Sequence, residues 1–160
     1  MIRLTAFVIV ALLPLSACGG KGGGASTPAD VGKAFVEAVN SGDAAAIKAL
    51  FPSDEVLKGA MECKDTKVFD RIKKTREKFS EGILKEDDLK GAKLEWVGAE
   101  DRKSKKAKKG EEKDGCKYLV DVEMLRQKWK FKITKDGKSE DEGEGVRVVS
   151  FDGKWYLLKF

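Results

Sequence analysis

The first half of the chain carries apolar residues at the spacing of helices. Between residues 27 and 84 they recur every three or four positions, which predicts α-helices with one buried face. Thr27 suits an N-cap, and Gly42 suits the left-handed residue that ends a helix. Two short helices are predicted between residues 43 and 61. A longer amphipathic helix with a charged solvent face is predicted from residue 65 to residue 84.

After Gly91 the spacing of the apolar residues changes to the two-residue period of β-strands. Trp129 and Phe131 alternate with lysines, which predicts a half-buried strand with a basic outer face. Asp152-Gly153 is a strong signal for a two-residue hairpin. About five strands are expected, at residues 94–96, 116–125, 128–133, 146–151 and 155–160. Helices followed by strands predict an α+β fold, with the N-terminal helices on one face of a mostly antiparallel sheet.

The chain opens with the arrangement of a secretory signal. Arg3 gives a positive end, and the apolar run from Leu4 to Leu15 is shorter than the ~20 residues that a spanning helix needs. The run closes on Leu15-Ser16-Ala17-Cys18, with glycine immediately after it. This motif resembles the lipobox of bacterial lipoproteins, in which a peptidase cuts before the cysteine after lipid is attached to its thiol. The alternative is an ordinary signal peptide that is cut elsewhere.

The lipobox resemblance implies three segments. Residues 1–17 form a signal peptide, residues 18–26 a lipidated glycine-rich tether, and residues 27–160 a single folded domain. Cys18 is then the lipidation site, and the protein is expected in the bacterial cell envelope, held to a membrane by acyl chains such as palmitate. Gly19 in place of aspartate after the cysteine implies the outer membrane, with the domain facing the periplasm.

Composition narrows the classes of function. The chain has 32 basic and 27 acidic side chains, a formal charge of +5. This mild excess fits solubility beside an anionic membrane better than it fits nucleic-acid binding. Histidine is absent, so the commonest general base and metal ligand are missing. The sequence carries no motif for catalysis, a metal or a cofactor, which favours a non-enzymatic protein.

Two cysteines remain beside the lipidated one. Cys63 and Cys116 lie in a chain expected in an envelope compartment, where disulfides persist. A bridge between them would close a loop of about 53 residues and stabilise the fold by about 4 kcal/mol in the chain-entropy model. The alternative is a pair of buried, inert thiols. Their wide separation disfavours a redox centre of the C-x-x-C type.

A dense basic run lies between the first two predicted strands. Two interpretations stay open, a flexible solvated hairpin loop or contact with lipid phosphates or an acidic envelope polymer. The export signal disfavours nucleic-acid binding, and so does the lack of an aromatic residue among the basic ones. The run consists of Arg102, Lys103, Lys105, Lys106, Lys108 and Lys109.

An acidic stretch lies before the last predicted hairpin. Its spacing differs from that of an EF-hand loop, so a solvated glycine-rich turn is predicted rather than a calcium site. The stretch consists of Glu140, Asp141, Glu142 and Glu144.

The two ends of the predicted domain carry a second resemblance. The opening runs from Pro28-Ala29-Asp30-Val31 through Phe35 and Val39 to Asn40, Gly42 and Asp43, and the closing stretch is Phe151-Asp152-Gly153-Lys154-Trp155-Tyr156-Leu157. Both resemble nuclear-transport-factor-2-like domains of the cystatin-like cone type, which small uncharacterised bacterial lipoproteins also carry. The resemblance implies a curved sheet wrapped around a helix, forming a cone with a hollow mouth.

Three classes of function are compatible with these patterns. The first is a non-enzymatic module that binds an envelope protein, an acidic polymer or a small apolar ligand. The second is a cone-fold enzyme of the isomerase or dehydratase kind, using carboxylate or tyrosine acid–base chemistry. For that class, Tyr118, Asp121 and Glu123 share a predicted strand, but alternation places the tyrosine opposite the carboxylates. The third is a structural spacer in the envelope.

Overall fold

The first three helices begin at residues whose side chains cap them. The computed structural model describes residues 23–159. The side chain of Thr27 accepts a hydrogen bond of 3.2 Å from a first-turn amide, and Gly42 ends the first helix with a φ of 67°. Asp43 and Ser53 cap the next two helices in the same way as Thr27. The predicted helices are confirmed, with the bounds α1 Pro28–Ser41, α2 Ala44–Ala49, α3 Asp54–Ala60 and α4 Lys67–Gly82.

The strands of the described residues form two antiparallel sheets. In chain order they are β1 Met61–Cys63, β2 Lys93–Ala107, β3 Glu112–Lys113, β4 Cys116–Tyr118, β5 Val122–Lys135, β6 Lys138–Phe151 and β7 Lys154–Lys159. The larger sheet has the order β2-β5-β6-β7, and the smaller one has the order β1-β4-β3. The α+β class is therefore confirmed, with seven strands rather than about five.

Three turns within the described residues are Asp-Gly pairs. Asp114-Gly115 joins β3 to β4, Asp136-Gly137 joins β5 to β6, and Asp152-Gly153 joins β6 to β7. Both residues of each pair have positive φ, which is the turn geometry that matches the twist of the flanking strands. The predicted hairpin at Asp152-Gly153 is confirmed.

The larger sheet is covered on both faces near its C-terminal strands. On one face, α1 and α2 pack through Phe35 and Ile47 against Trp129, which is fully buried. On the other face, α3 and the smaller sheet pack through Leu57 and Tyr118. The predicted placement of the helices on one sheet face holds for α1 and α2 but not for α3, since consecutive apolar residues of β6 and β7 point to opposite sides and both faces are buried.

Most of both charged stretches lies in strands, so the predicted acidic turn is wrong and the predicted basic loop holds only for Lys108 and Lys109, which follow β2. β2 continues through the basic run as far as Ala107, and β6 contains the whole acidic stretch from Glu140 to Glu144. Both segments are edges, since β2 has one neighbour and β7 pairs only with residues 147–151 of β6. Charged side chains are typical of exposed strand edges, where they oppose pairing with other chains.

The predicted strand 116–125 is divided between the two sheets. Residues 116–118 belong to β4 and pair with β1, whereas β5 begins at Val122 and pairs with β2 and β6. A bend at residues 119–120 separates β4 from β5, and Tyr118 and Val122 on either side of it lie in the same core.

Candidate anion-binding site

Strand alternation and a bulge divide the basic run between the two faces of β2. Lys103 pairs directly with Arg126 of β5 and Lys105 pairs with Met124, so these two lysines lie on one face. Ser104 and Lys106 pair with residues 125 and 123 on the opposite face. A register shift between residues 101 and 103 places Arg102 at a bulge.

Three members of the run have partners within the domain. Lys106 forms a salt bridge of 3.2 Å with Glu123, and Lys108 forms one of 2.7 Å with Asp121. The Lys109 amide also donates to Asp121 at 3.0 Å. The Lys108 ammonium and the Lys109 amide lower the pKa of the Asp121 carboxyl, and the same contact raises the pKa of Lys108. These contacts fix the end of β2, so the run is not one continuous binding surface.

The two lysines on the first face join two arginines from other strands. Arg126 of β5 lies directly opposite Lys103 on one side and Arg147 of β6 on the other. Like charges directly opposite each other across strands are destabilising. None of Lys103, Lys105, Arg126 and Arg147 forms an ion pair with another residue between 23 and 159.

These four cations line a cavity of about 220 Å³. Apolar side chains of Met124 and Leu158 also line it, and both belong to the core beneath the smaller sheet. We call this cavity the basic cleft; its lining consists of Lys103, Lys105, Asp114, Met124, Leu125, Arg126, Arg147 and Leu158. It combines four cations, one carboxylate and an apolar floor.

Elsewhere on the same face the lysines have acidic neighbours. Lys130 forms a salt bridge with Glu100, which lowers the pKa of that carboxyl. Lys132 lies directly between Glu95 of β2 and Asp141 of β6. The excess of positive charge is therefore concentrated at the basic cleft rather than spread along β5.

The smaller sheet forms one wall of the basic cleft. Asp114 stands in the turn between β3 and β4, and Cys116 follows it at the start of β4. A disulfide joins Cys116 to Cys63, its directly opposed partner on β1. The pairing is one of the two alternatives that the sequence leaves open, and it ties the turn that carries Asp114 to the helical part of the domain.

The tyrosine and carboxylates considered for acid–base chemistry do not share a pocket. Tyr118 is buried, and burial is the largest cause of its raised pKa, followed by the charges of Asp114 and Glu111. Asp121 is held by Lys108, while Glu123 accepts a hydrogen bond from Ser104 and forms a salt bridge with Lys106. Both carboxylates therefore have structural partners.

The acidic stretch is spread along β6 rather than gathered around one point. Glu140, Glu142 and Glu144 pair with alternate residues of β5, and Asp141 lies on the other face. Within residues 23–159, no group of three or more histidine, cysteine, aspartate or glutamate side chains is placed to hold a metal ion.

Aromatic rings occupy the space between α1 and the larger sheet. The ring of Phe35 lies 5.8 Å from Trp129 and 6.0 Å from Phe131, measured between centroids. Trp96 packs edge-on against Trp129 at 5.5 Å. The rings form part of the buried core.

Arg126 and Arg147 are the site residues that sequence reasoning missed. Each is a single basic residue among apolar or polar neighbours, so neither forms a run. Their association with Lys103 depends on the register of three strands. The Asp-Gly pairs at 114–115 and 136–137 carry the signal that could have located the turns and so the register.

Comparison with protein-family models, curated proteins and solved structures finds no match for this chain. Among the helices of the described residues, none has the length and apolar character needed to cross a membrane. Cys18, the predicted lipidation site, lies outside the described residues.

Proposed function

We propose that this protein is a lipid-anchored lipoprotein of the bacterial cell envelope whose domain is a non-enzymatic module that binds anionic groups. The observation that carries the binding function is the row formed by Lys103, Arg126 and Arg147 across three adjacent strands. Such a row costs stability in the free protein. An anionic ligand would remove that cost, which supports recognition rather than a purely structural role.

We infer the lipid anchor from the motif at Cys18. Such an anchor would bring the basic cleft close to the anionic lipids of a membrane. Acyl chains on this cysteine would hold the domain next to a bilayer, where anionic lipids attract basic residues by about 1 kcal/mol each near the surface. This attraction falls off within a Debye length, about 8 Å at physiological ionic strength. The cleft therefore acts on the bilayer only where the tether lets it approach to about this distance.

For the finer fold we propose a filled version of the nuclear-transport-factor-2-like cone. Supporting this, α1 packs against the larger sheet through Phe35, and the rings of Trp96, Trp129 and Phe131 lie around it. A filled interior suits a module that binds on its surface. The proposed outer-membrane location, with the domain in the periplasm, rests on the residue that follows Cys18.

The binding function is tested with the non-lipidated Cys18→Ser protein and vesicles. We expect sedimentation with vesicles of phosphatidylcholine and phosphatidylglycerol at low salt, weaker binding at 0.5 M salt, and none to phosphatidylcholine alone. If the protein does not sediment with anionic vesicles at low salt, the proposed binding function is wrong.

The anchor is tested separately in cells. Wild-type protein is expected in the membrane fraction and Cys18→Ser protein in the soluble envelope fraction. A variant that stays in the membrane fraction after washing with high salt would contradict the anchor.

A further inference from the structure

We infer that the basic cleft is a specific headgroup site for an anionic phospholipid. This inference deepens the proposed anion-binding function and rests on it. General attraction to a negative surface requires only net positive charge. A headgroup site also requires converging donors, a restricted volume and a place for the apolar part of the lipid.

The cations of the cleft are close enough to share one phosphate group. Lys103, Arg126 and Arg147 are direct cross-strand neighbours, and adjacent strands lie about 4.8 Å apart. Two neighbouring guanidinium groups present planar forks of N–H donors, which match the oxygens of a phosphate in a bidentate way. Lys105 lies two residues after Lys103 on the same face of β2 and adds a further cation to the lining of the same cavity.

The volume and the floor of the cleft favour a lipid over a larger ligand. At about 220 Å³ the cavity is smaller than the 300–1,000 Å³ of ordinary small-molecule sites. Met124 and Leu158 place apolar surface directly beside the cations. A headgroup phosphate would contact the cations while the adjoining glycerol and first methylenes contact these two side chains.

Asp114 lowers the positive charge that the cleft presents to a phosphate. Its carboxylate lines the same cavity as the four cations. A phosphodiester brings one negative charge, whereas a phosphomonoester brings nearly two at neutral pH. Asp114 therefore offsets part of the extra attraction that the four cations offer the second charge of phosphatidic acid, and its removal should strengthen binding to phosphatidic acid more than binding to phosphatidylglycerol.

The test uses the mature Cys18→Ser protein, which begins at residue 18, and vesicles in which one lipid in five is anionic. Arg126→Gln with Arg147→Gln removes two charges from the cleft. Lys106→Gln with Lys108→Gln is the matched control, because it removes two charges from the same end of the sheet outside the cleft. We expect the cleft variant to bind phosphatidylglycerol vesicles at least 30-fold more weakly, and the control variant less than 5-fold.

Two further arms identify the ligand class. Asp114→Asn is expected to increase binding to phosphatidic acid vesicles by a larger factor than binding to phosphatidylglycerol vesicles. Inorganic phosphate at 10 mM, with ionic strength held constant, is expected to compete poorly because it lacks the apolar part. Complete competition would identify a free-phosphate site and overturn the lipid assignment.

Different results would contradict the headgroup site and the general anion-binding function. Equal losses for the cleft and control variants would overturn the headgroup site and leave the general anionic surface intact. Absence of binding by the Cys18→Ser parent would contradict the proposed function itself. Thermal unfolding of each variant, measured without lipid, separates a loss of binding from a loss of folding.

Discussion

Replacing Arg126 with glutamine is expected to stabilise the domain while weakening its binding to anions. Arg126 is the central residue of the row, with Lys103 directly opposite on β2 and Arg147 directly opposite on β6. The substitution removes both like-charge pairs and keeps most of the side-chain stem. If the charge of Arg126 served folding alone, the substitution would instead destabilise the domain and leave anion binding unchanged.

The expected gain follows from the two pairs that are removed. Cross-strand side-chain pairs are worth roughly 0.2–1 kcal/mol each, so two repulsive pairs cost about 0.4–2 kcal/mol in total. For a domain of this size, that difference raises Tm by about 1–8 °C. At 1 M salt the Debye length falls to about 3 Å, and most of the gain should disappear.

The assay is thermal unfolding of the Cys18→Ser protein at low and high salt. Lys106→Gln is the control, because Lys106 pairs with Glu123 and its removal should cost up to about 1 kcal/mol. A lower Tm for Arg126→Gln at low salt would refute the electrostatic argument. A gain that is the same at both salt concentrations would refute it as well.

Three other predictions concern the scaffold. The disulfide closes a loop with a sequence separation of 53, so Cys63→Ala with Cys116→Ala should lower the unfolding free energy by about 4 kcal/mol in the chain-entropy model. Equal urea midpoints for the variant and the wild type would contradict this. Arg76→Ala should lower the unfolding free energy by about 2–4 kcal/mol, because this buried guanidinium donates to a backbone carbonyl at 2.8 Å and to a carboxylate at 2.9 Å. Urea unfolding measures the change, and a loss below about 1 kcal/mol would show that these hydrogen bonds contribute little. Gly32→Ala should lower the unfolding free energy by about 1–3 kcal/mol, since the added Cβ would lie 2.2 Å from the Trp96 ring. If tryptophan fluorescence and the urea midpoint are both unchanged, α1 does not pack closely on that ring.

The local elements were predictable because local chemistry decides them. Thr27 accepts from a first-turn amide and Gly42 takes the left-handed conformation, and both roles are readable from residue type and position alone. The Asp152-Gly153 turn is predictable for the same reason. These signals located the ends of α1 and one hairpin.

The division into two sheets was not predictable from alternation. Residues 116–125 alternate well enough to form one strand, yet Tyr118 and Val122 reach one core from different sheets. Charge density is equally ambiguous, because a run of lysines is compatible with a solvated loop and with an edge strand. Backbone pairing with β5 decides in favour of the strand here.

The candidate site was predictable only in part, for a reason of register. The basic run indicates Lys103 and Lys105, but it also includes Lys106 and Lys108, which the fold neutralises. Which lysines stay available depends on the bulge between residues 101 and 103. A bulge shifts every following side chain to the other face, and the sequence does not mark where it occurs.

The most direct measurement is an NMR titration of the arginine side-chain N–H signals of the Cys18→Ser protein with a short-chain phosphatidylglycerol below its micelle concentration. The signals of Arg126 and Arg147 are expected to shift together and saturate at one lipid per protein, while those of Arg71 and Arg102 stay in place. If all four sets of signals drift together without saturation, the domain has no headgroup site and its positive charge acts only in a diffuse way.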